Sequence, residues 1–459
     1  MNARELPRNE YTRRLEGVIP GGAHTYSRGS DQFPSNAPAI LARGQGAHIW
    51  DPEGNKFLDY GMSLRAVTLG YANRRVNAAA IKQIEFGNNL TRASLIELEA
   101  AELLVDLIPY ADMVKFAKNG SNATTAAVKL ARAFTGRDYV CVPREQPFFS
   151  FDDWFIGATE IQRGIPELML SHTLYFDYGD EQSLQALFAQ YPGQIAGVLL
   201  EPATTLVPCE TKCSRELSAE SGCNSCLHHS GNFLKLVQEI CQHEGALFIL
   251  DEMITGFRWH LQGAATYFGV TPDLATFGKG MANGFSVAAV CGRREVMDLG
   301  SITPAGLERT FLLSSTHGGE MSSLGAFVET VAIYKEENVI GHLWKYGKEL
   351  RDGLISAATE AGASNIFAVS GPPVGLSYGF TDSPKASAAE LRTLFAQEMV
   401  SQGILMPWLS VSFSHDEATL KRTLDAAFEA LITCAKAADV GPEGILNGPT
   451  LKPVFRKYN

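Results

Sequence analysis

Three short stretches of this chain join residue types that do chemistry to residues that shape the backbone around them. The first is F-A-K-N-G-S-N-A-T-T-A-A-V-K-L-A-R, residues 116–132, in which a strand runs into Gly120 and a helix opens at Ser121. A helix N-terminus exposes free N–H groups and a partial positive charge, which suits a phosphate. Gly120 permits close backbone approach and the Ser121 hydroxyl can add a hydrogen bond. A plain helix with Ser121 as its cap would show the same pattern. The second is L-F-I-L-D-E-M-I-T-G-F-R, residues 247–258, where Asp251 ends a buried apolar strand. A carboxylate there needs a partner, because burying an uncompensated charge is costly. A pyridinium nitrogen is one such partner, which Asp251 would keep protonated so that the ring accepts electrons; an ion pair with Arg258 is another. The third is P-D-L-A-T-F-G-K-G-M-A-N-G, residues 272–284, with Lys279 between two glycines after an apolar run. A desolvated lysine has a lowered pKa and can form an imine, whereas a lone lysine in a loop is ordinarily solvated.

The elements that must position these groups alternate between strand and helix. Met113–Ala117 is a short strand, and the alanine-rich stretch 121–134 is a helix. Ile195–Leu200 and Ala246–Leu250 are buried strands, followed by E-P and D-E. Such alternation predicts a mostly parallel sheet covered on both faces. Ligand groups gather at the carboxyl ends of such strands, where Glu201 and Asp251 both fall. Upstream, residues 44–60 form a hairpin around D-P-E-G-N. In the final third, G-P-P at 371–373 marks a break before the strand-like V-G-L-S-Y-G-F. Leu420, Leu424, Phe428 and Leu431 recur at helical spacing and give one apolar face. This region is expected to be a smaller C-terminal lobe, with an extended tail after Asp439.

The bulk numbers agree with a large α/β enzyme. The chain has 459 residues, 45% of them hydrophobic, which is too many for one small core. A net charge of −11 argues against nucleic acid as the main partner. There is no apolar run long enough to span a membrane, and the N-terminal M-N-A-R-E-L-P-R-N-E lacks the apolar core of a signal peptide. A cytoplasmic location is the default expectation.

A phosphate-type turn, then E-P, then D-E, then G-K-G, in this order and spacing, resembles the class III pyridoxal-phosphate aminotransferases, and most of all their glutamate-1-semialdehyde 2,1-aminomutase-like branch. The likeness runs from I-P-G-G-A-H-T-Y-S-R at 19–28, through F-T-G-R at 134–137, to M-P-W-L-S-V-S-F-S-H-D-E at 406–417. It implies the fold type I, aspartate aminotransferase-like architecture: a large domain with a mostly parallel seven-stranded sheet and a small α/β domain. The expected boundaries are 1–60 for an N-terminal segment joining the small lobe, 61–330 for the large cofactor-binding domain with a cysteine-rich insertion at 205–230, and 331–459 for the small domain.

The resemblance also implies roles. The turn that holds the cofactor phosphate maps to Gly120, Ser121 and Asn122; the family's residue at the last position is usually acidic, and Asn122 departs from it. Glu201 is the acid of the E-P pair in the cofactor site. Asp251 takes the aspartate position on the pyridine nitrogen, Met253 the position packing on a ring face, and Lys279 that of the Schiff-base lysine. The stacking aromatic maps to Phe148 in P-F-F-S-F-D-D-W, residues 147–154, where Phe149 stands in place of a histidine. Thr316, in S-S-T-H-G-G-E, corresponds to a threonine that reaches the phosphate from the neighbouring subunit, which implies a homodimer with shared active sites. Glu320-Met321 replaces the family's N-P there. Arg28, with Thr25 nearby, falls where the aminomutases grip a substrate carboxylate; a surface arginine fits the residues equally well.

The expected reaction moves an amino group from an amino-acid donor, L-glutamate, to a keto or aldehyde acceptor such as a sugar or nucleotide-activated sugar. An aminomutase or racemase on the same scaffold is the alternative, although the aminomutase's G-N-M-G after E-P is replaced here by A-T-T-L-V-P. A catalytically silent binding scaffold is the alternative of another class. Four of the eight cysteines, Cys209, Cys213, Cys223 and Cys226, cluster as C-x3-C and C-x2-C separated by nine residues. Thiolates so spaced can close a structural zinc site; an iron–sulfur cluster, or uncoordinated or oxidised thiols, are the other outcomes.

Overall fold

The computed structural model describes residues 6–209, 231–303, 306 and 308–458. The chain divides into two compact units. One comprises residues 1–64, 68–73 and 343–459; the other comprises 65–67 and 74–342.

The strands, in chain order, are β1 (Arg43–Gln45), β2 (His48–Trp50), β3 (Lys56–Asp59), β4 (Met113–Ala117), β5 (Tyr139–Pro143), β6 (Thr173–Phe176), β7 (Ile195–Leu200), β8 (Leu247–Glu252), β9 (Leu274–Phe277), β10 (Ala288–Gly292), β11 (Phe367–Ser370), β12 (Ser377–Phe380) and β13 (Ile404–Leu405). The second unit is built on a seven-stranded sheet ordered β4-β10-β9-β8-β7-β5-β6. β5, β6, β7, β8 and β9 pair in parallel, while β10 runs antiparallel to both β9 and β4. Every residue of β7 and β8 is buried, because helices cover both faces of a sheet of this kind. Helix Gly120–Thr135 packs its alanines against β10, β7 and β9. Short side chains allow this close approach, and the helix stops at Gly136, whose left-handed conformation caps it.

The first unit holds a four-stranded sheet, β1-β2-β3-β13. β2 and β3 form an antiparallel hairpin. Its turn is tied by Asp51, which accepts from the Asn55 backbone N–H at 2.7 Å and from Asn55 Nδ2 at 2.8 Å. β3 also pairs in parallel with β13, so residues more than 340 positions apart share one sheet. In helix Glu417–Val440 the buried face consists of Thr419, Thr423, Ala426, Ala427, Ala430, Leu431, Cys434, Ala437 and Ala438. Of the four-residue apolar stripe expected from the sequence, Leu431 alone lies on it. Close packing on helix Ala388–Ser401 selects small side chains, while Leu424 fills the space left by Gly353. The tail after Asp439 is irregular, as expected, but tied down: Gln397 and Thr393 bond the backbone at Ile445, Asn447 and Leu451, and Arg456 pairs with Asp31 at 2.6 Å.

β3 ends in an unusual turn. Met62, Ser63, Leu64 and Arg65 have positive φ values of 38°, 51°, 61° and 69°. A left-handed conformation costs an L-residue about 1–2 kcal/mol, so four in a row need compensation. The buried Asp59 carboxylate provides it by accepting from Gly61 N (2.7 Å), Met62 N (3.0 Å) and the Tyr71 hydroxyl (2.7 Å). Trp408 Nε1 donates to the Gly61 carbonyl, and Arg28 Nη2 to Ser63 Oγ.

Asp59→Ala strands three buried donors, and a loss of about 2–4 kcal/mol is expected. Denaturant unfolding of the variant beside the parent checks this. A midpoint matching the parent's would show that the turn needs no such anchor.

Candidate active site

The three stretches singled out in the sequence converge at the carboxyl ends of β4, β8 and β9. Met253 joins them. A Cβ placed on Gly120 would lie 3.0 Å from Met253 Sδ, and one on Gly278 only 2.5 Å from it. The turn opening helix Gly120–Thr135 and the turn before Lys279 therefore touch the same thioether, tightly at Gly120 and so closely at Gly278 that a side chain there would have to displace it. Met253 itself follows Asp251 by two residues, and its N–H donates to Asp251 Oδ1 at 2.9 Å.

At the helix opening the cap is Asn119, not Ser121: Asn119 Oδ1 accepts from Asn122 N at 2.9 Å. This places Ser121 inside the first turn, where its Oγ accepts from Phe151 N at 3.1 Å and keeps its own proton to donate. The Gly120 and Ser121 N–H groups have no hydrogen-bond partner among the described residues. The Asn122 N–H is committed to the cap, so that residue could reach an anion only through its side chain.

Asp251 is 3% exposed. Thr276, its register partner on β9, donates to Oδ1 at 3.1 Å. Both hydrogen bonds that Asp251 accepts thus end on one oxygen, and Oδ2 is left open. Burial raises the carboxyl above its ordinary range, while Lys279, Met253 N and Thr276 draw it back. No ion pair joins Asp251 to Arg258 among the described residues. Glu201, also buried, sits beyond the last residue of β7, held by Gln146, which bonds both its backbone N–H and its carbonyl. Burial and then Asp251 raise its carboxyl, against the pull of Lys279 and Arg65. Lys279 is partly buried and has a left-handed φ of 41°. Burial lowers its ammonium below the ordinary lysine range, and Asp251 and Glu201 oppose that. The neighbouring Glu252 is engaged elsewhere. Its carboxylate accepts from Thr255 Oγ1, Ala264 N and Ala265 N and fixes the loop beyond β8.

Phe148 is 44% exposed and meets Phe155 edge-on. Phe149 is buried in the core of the unit, also edge-on to Phe155 at 5.6 Å, which explains an apolar ring at this position. Thr316 is exposed, with its carbonyl bonded by Asn89 Nδ2. Glu320 pairs with Lys118 at 2.5 Å and accepts from Ser322 and Asn88. It ties the Thr316 segment to the residue just before Asn119. Arg28 and Thr25 belong to the other unit, where Arg28 lines a cavity of about 600 Å³ together with Ser63, Asp59, Tyr71, Arg43 and Trp408. Thr25 contributes its carbonyl to the same short turn, accepting from Arg28 N at 2.9 Å.

The sequence reading passed over Arg65, which interacts electrostatically with both Glu201 and Lys279. A leucine and an arginine in a polar turn carry no signal of left-handed backbone, so nothing in the string M-S-L-R sets this arginine apart.

Among the described residues no group of three or more His, Cys, Asp or Glu side chains could hold a metal ion. Cys213, Cys223 and Cys226 lie outside those residues. Cys209 is buried and pairs with Asn232 in an isolated bridge, so the two ends of the cysteine-rich segment meet.

A mostly parallel seven-stranded sheet with a buried aspartate, a lysine and a helix opening at its strand ends defines a pyridoxal-phosphate enzyme of fold type I. The chain belongs to the class III aminotransferases: that family's model matches residues 27–406. Among solved structures, the chain is similar to the FumI protein of Sphingopyxis sp. MTA144 in its PLP form, at 26% identity over 96% of this chain and 99% of that one, with a TM-score of 0.79. It shares its fold with an omega-transaminase from Sphaerobacter thermophilus (23% identity, 95% and 100% covered, TM-score 0.74). It also shares it with a glutamate-1-semialdehyde aminomutase from Pseudomonas aeruginosa PAO1 (19%, 93% and 96%, 0.75). The aminomutase-like branch is not distinguished from the transaminases by these likenesses. Among the described residues no helix is long and apolar enough to cross a membrane.

The residues present fit the cofactor. Two open N–H groups and a hydroxyl at a helix start suit its phosphate. A buried carboxylate with one open oxygen suits a protonated ring nitrogen.

Gly278→Ala forces Met253 aside. Cofactor retained after gel filtration should fall about tenfold or more, a cost of about 1.4 kcal/mol. The double variant Gly278→Ala, Met253→Ala should recover part of it; a single variant that holds cofactor as tightly as the parent refutes the contact's importance.

Proposed function

We propose that this aminotransferase takes an amino group from L-glutamate and delivers it to a keto or aldehyde acceptor, a sugar or nucleotide-activated sugar being the class we favour. The convergence of Gly120, Asp251 and Lys279 around Met253 is the observation that carries the cofactor roles. When bound, pyridoxal 5'-phosphate supplies an aldehyde that takes up the amino group and a conjugated ring that accepts electrons. Gly120 and Ser121 would hold its phosphate through their N–H groups and the Ser121 hydroxyl, with Thr316 added from a second subunit. Asp251 Oδ2 would face the ring nitrogen and keep its proton in place. Met253 and Phe148 would bound the ring, and Glu201 would add a second carboxyl beside Asp251.

Lys279 has two duties. Its lowered pKa raises the share of neutral amine available to join the aldehyde carbon. Once displaced by a donor amine, Lys279 Nζ would take the proton from the donor's α-carbon and release it at the carbon that had carried the aldehyde, acting as base and then acid. Asp251 opposes full loss of positive charge at Nζ, so the amine can both accept and release a proton.

The first unit has a cavity of its own. Its cavity of about 600 Å³ lies within the usual roughly 300–1,000 Å³ range of small-molecule sites, and it combines the rings of Trp408 and Tyr71 with the charges of Arg28, Arg43 and Asp59. Arg28 is the proposed anchor for a substrate carboxylate. The homodimer draws support from a run of exposed apolar side chains, Ile81, Ile84, Phe86, Leu90, Leu95 and Leu98, of the kind that marks a protein contact.

Adding L-glutamate to the cofactor-loaded protein should replace its visible absorption band by near-ultraviolet absorption, and Lys279→Ala should lack the parent's visible band. An unchanged band with L-glutamate would remove glutamate as donor. A loaded Lys279→Ala spectrum identical to the parent's would remove the lysine's role.

For the cysteine-rich segment we propose structural zinc, supported by the spacing of Cys209, Cys213, Cys223 and Cys226 and by the meeting of the segment's ends. Elemental analysis should find about one zinc per chain, lost in Cys223→Ser, Cys226→Ser. A metal-free, fully active parent would contradict this.

A further inference from the structure

Arg65 is an electrostatic neighbour of Lys279. It is the last of four consecutive residues with positive φ, at 69°, a conformation that L side chains rarely adopt. Such strain persists only where surrounding structure enforces it, and it gathers at ligand sites. The segment after Arg65 packs on the turn after Lys279: a Cβ built on Gly284 would meet Val67 Cγ2 at 3.1 Å. Arg65 is only partly exposed. Nevertheless, its guanidinium makes no hydrogen bond and no ion pair among the described residues.

The charges around it are uneven. Glu201 attracts Arg65, whereas Lys279 and Arg258 are fellow cations of the same neighbourhood. A guanidinium held out of bulk water is stabilised by a planar anion that it can grip with two parallel N–H groups. A single carboxylate supplies that shape and charge. Arg65 has no protein carboxylate in ion-pair contact and neighbours the lysine that must meet the amino group, so a substrate carboxylate is the anion that suits it.

We propose that Arg65 is a specificity residue that binds a carboxylate of the amino donor and so selects amino acids and their oxo acids over simple amines. This deepens the donor reading above and rests on it for the location of the reacting lysine.

Glutarate, which carries two carboxylates but neither an amino nor a carbonyl group, isolates the binding step. Calorimetric titration of the cofactor-loaded protein with glutarate should show binding that weakens about tenfold or more in Arg65→Ala. Arg65→Lys, which keeps the charge but loses the fork, should fall between the two. The cofactor's visible band serves as the control, because a purely structural Arg65 would disturb that band along with glutarate affinity. Equal glutarate affinity in parent and Arg65→Ala, absence of binding to the parent, or a weakened affinity accompanied by a lost band would each overturn the proposal. Arg65-dependent glutarate binding without any spectral response to L-glutamate would remove glutamate as donor and leave the role of Arg65 standing. A spectral response to L-glutamate with Arg65-independent glutarate binding would do the reverse.

Discussion

A carboxylate held out of water at the end of β8 governs the arrangement around it. Asp251 is almost wholly buried, and only part of its hydrogen-bonding capacity is met by the protein. Left alone, such a group would take up a proton and cease to act as a charge. Lys279 on one side and the N–H of Met253 on the other hold it towards ionisation. Oδ2 nonetheless carries no hydrogen bond from the protein. A protonated ring nitrogen is a partner of the kind that the open oxygen could take.

The same economy of space explains the glycines. Met253 occupies the position where helix opening, strand end and lysine turn come together; a methyl group on Gly278 would collide with its sulfur and one on Gly120 would press on it. Packing at interior density leaves no slack to absorb that. The lysine follows at once in a left-handed conformation, which sets the direction in which its stem leaves the backbone. Asp59 performs the equivalent service for the turn after β3, where one carboxylate gathers three donors and holds a strained backbone in place. Strain in both places is tolerated because buried hydrogen bonds over-determine the geometry.

Much of the fold was legible because its causes are local. Runs such as I-A-G-V-L-L can only be buried strands when they alternate with amphipathic helices, and G-P-P and D-P-E-G-N announce breaks by their backbone limits alone. The errors are local as well. Leu420, Leu424 and Phe428 obey a helical period and are half-buried, Leu424 against Gly353, but the fully buried face is lined mainly with alanine and threonine. Ser121 has a capping side chain, but Asn119 stands two residues earlier with another, and the capping geometry chose it. Arg65 was invisible, since its distinction lies in a φ value and in the absence of a protein partner.

The sequence by itself determined the class of the protein: the order of a phosphate-type turn, an acid after each of two buried strands and a lysine between glycines, on an alternating α/β chain. Those features follow from residue type and from separations along the chain, which are short-range quantities. The tertiary structure alone decided that Met253 would join the three stretches, that Oδ2 of Asp251 would stay open, that β13 would pair with β3 across 340 residues of chain, and that Arg65 would lie among the charges around Lys279. Each of these depends on groups distant in sequence meeting in a close-packed, weakly screening interior, where both steric fit and charge are set by the neighbours that folding supplies.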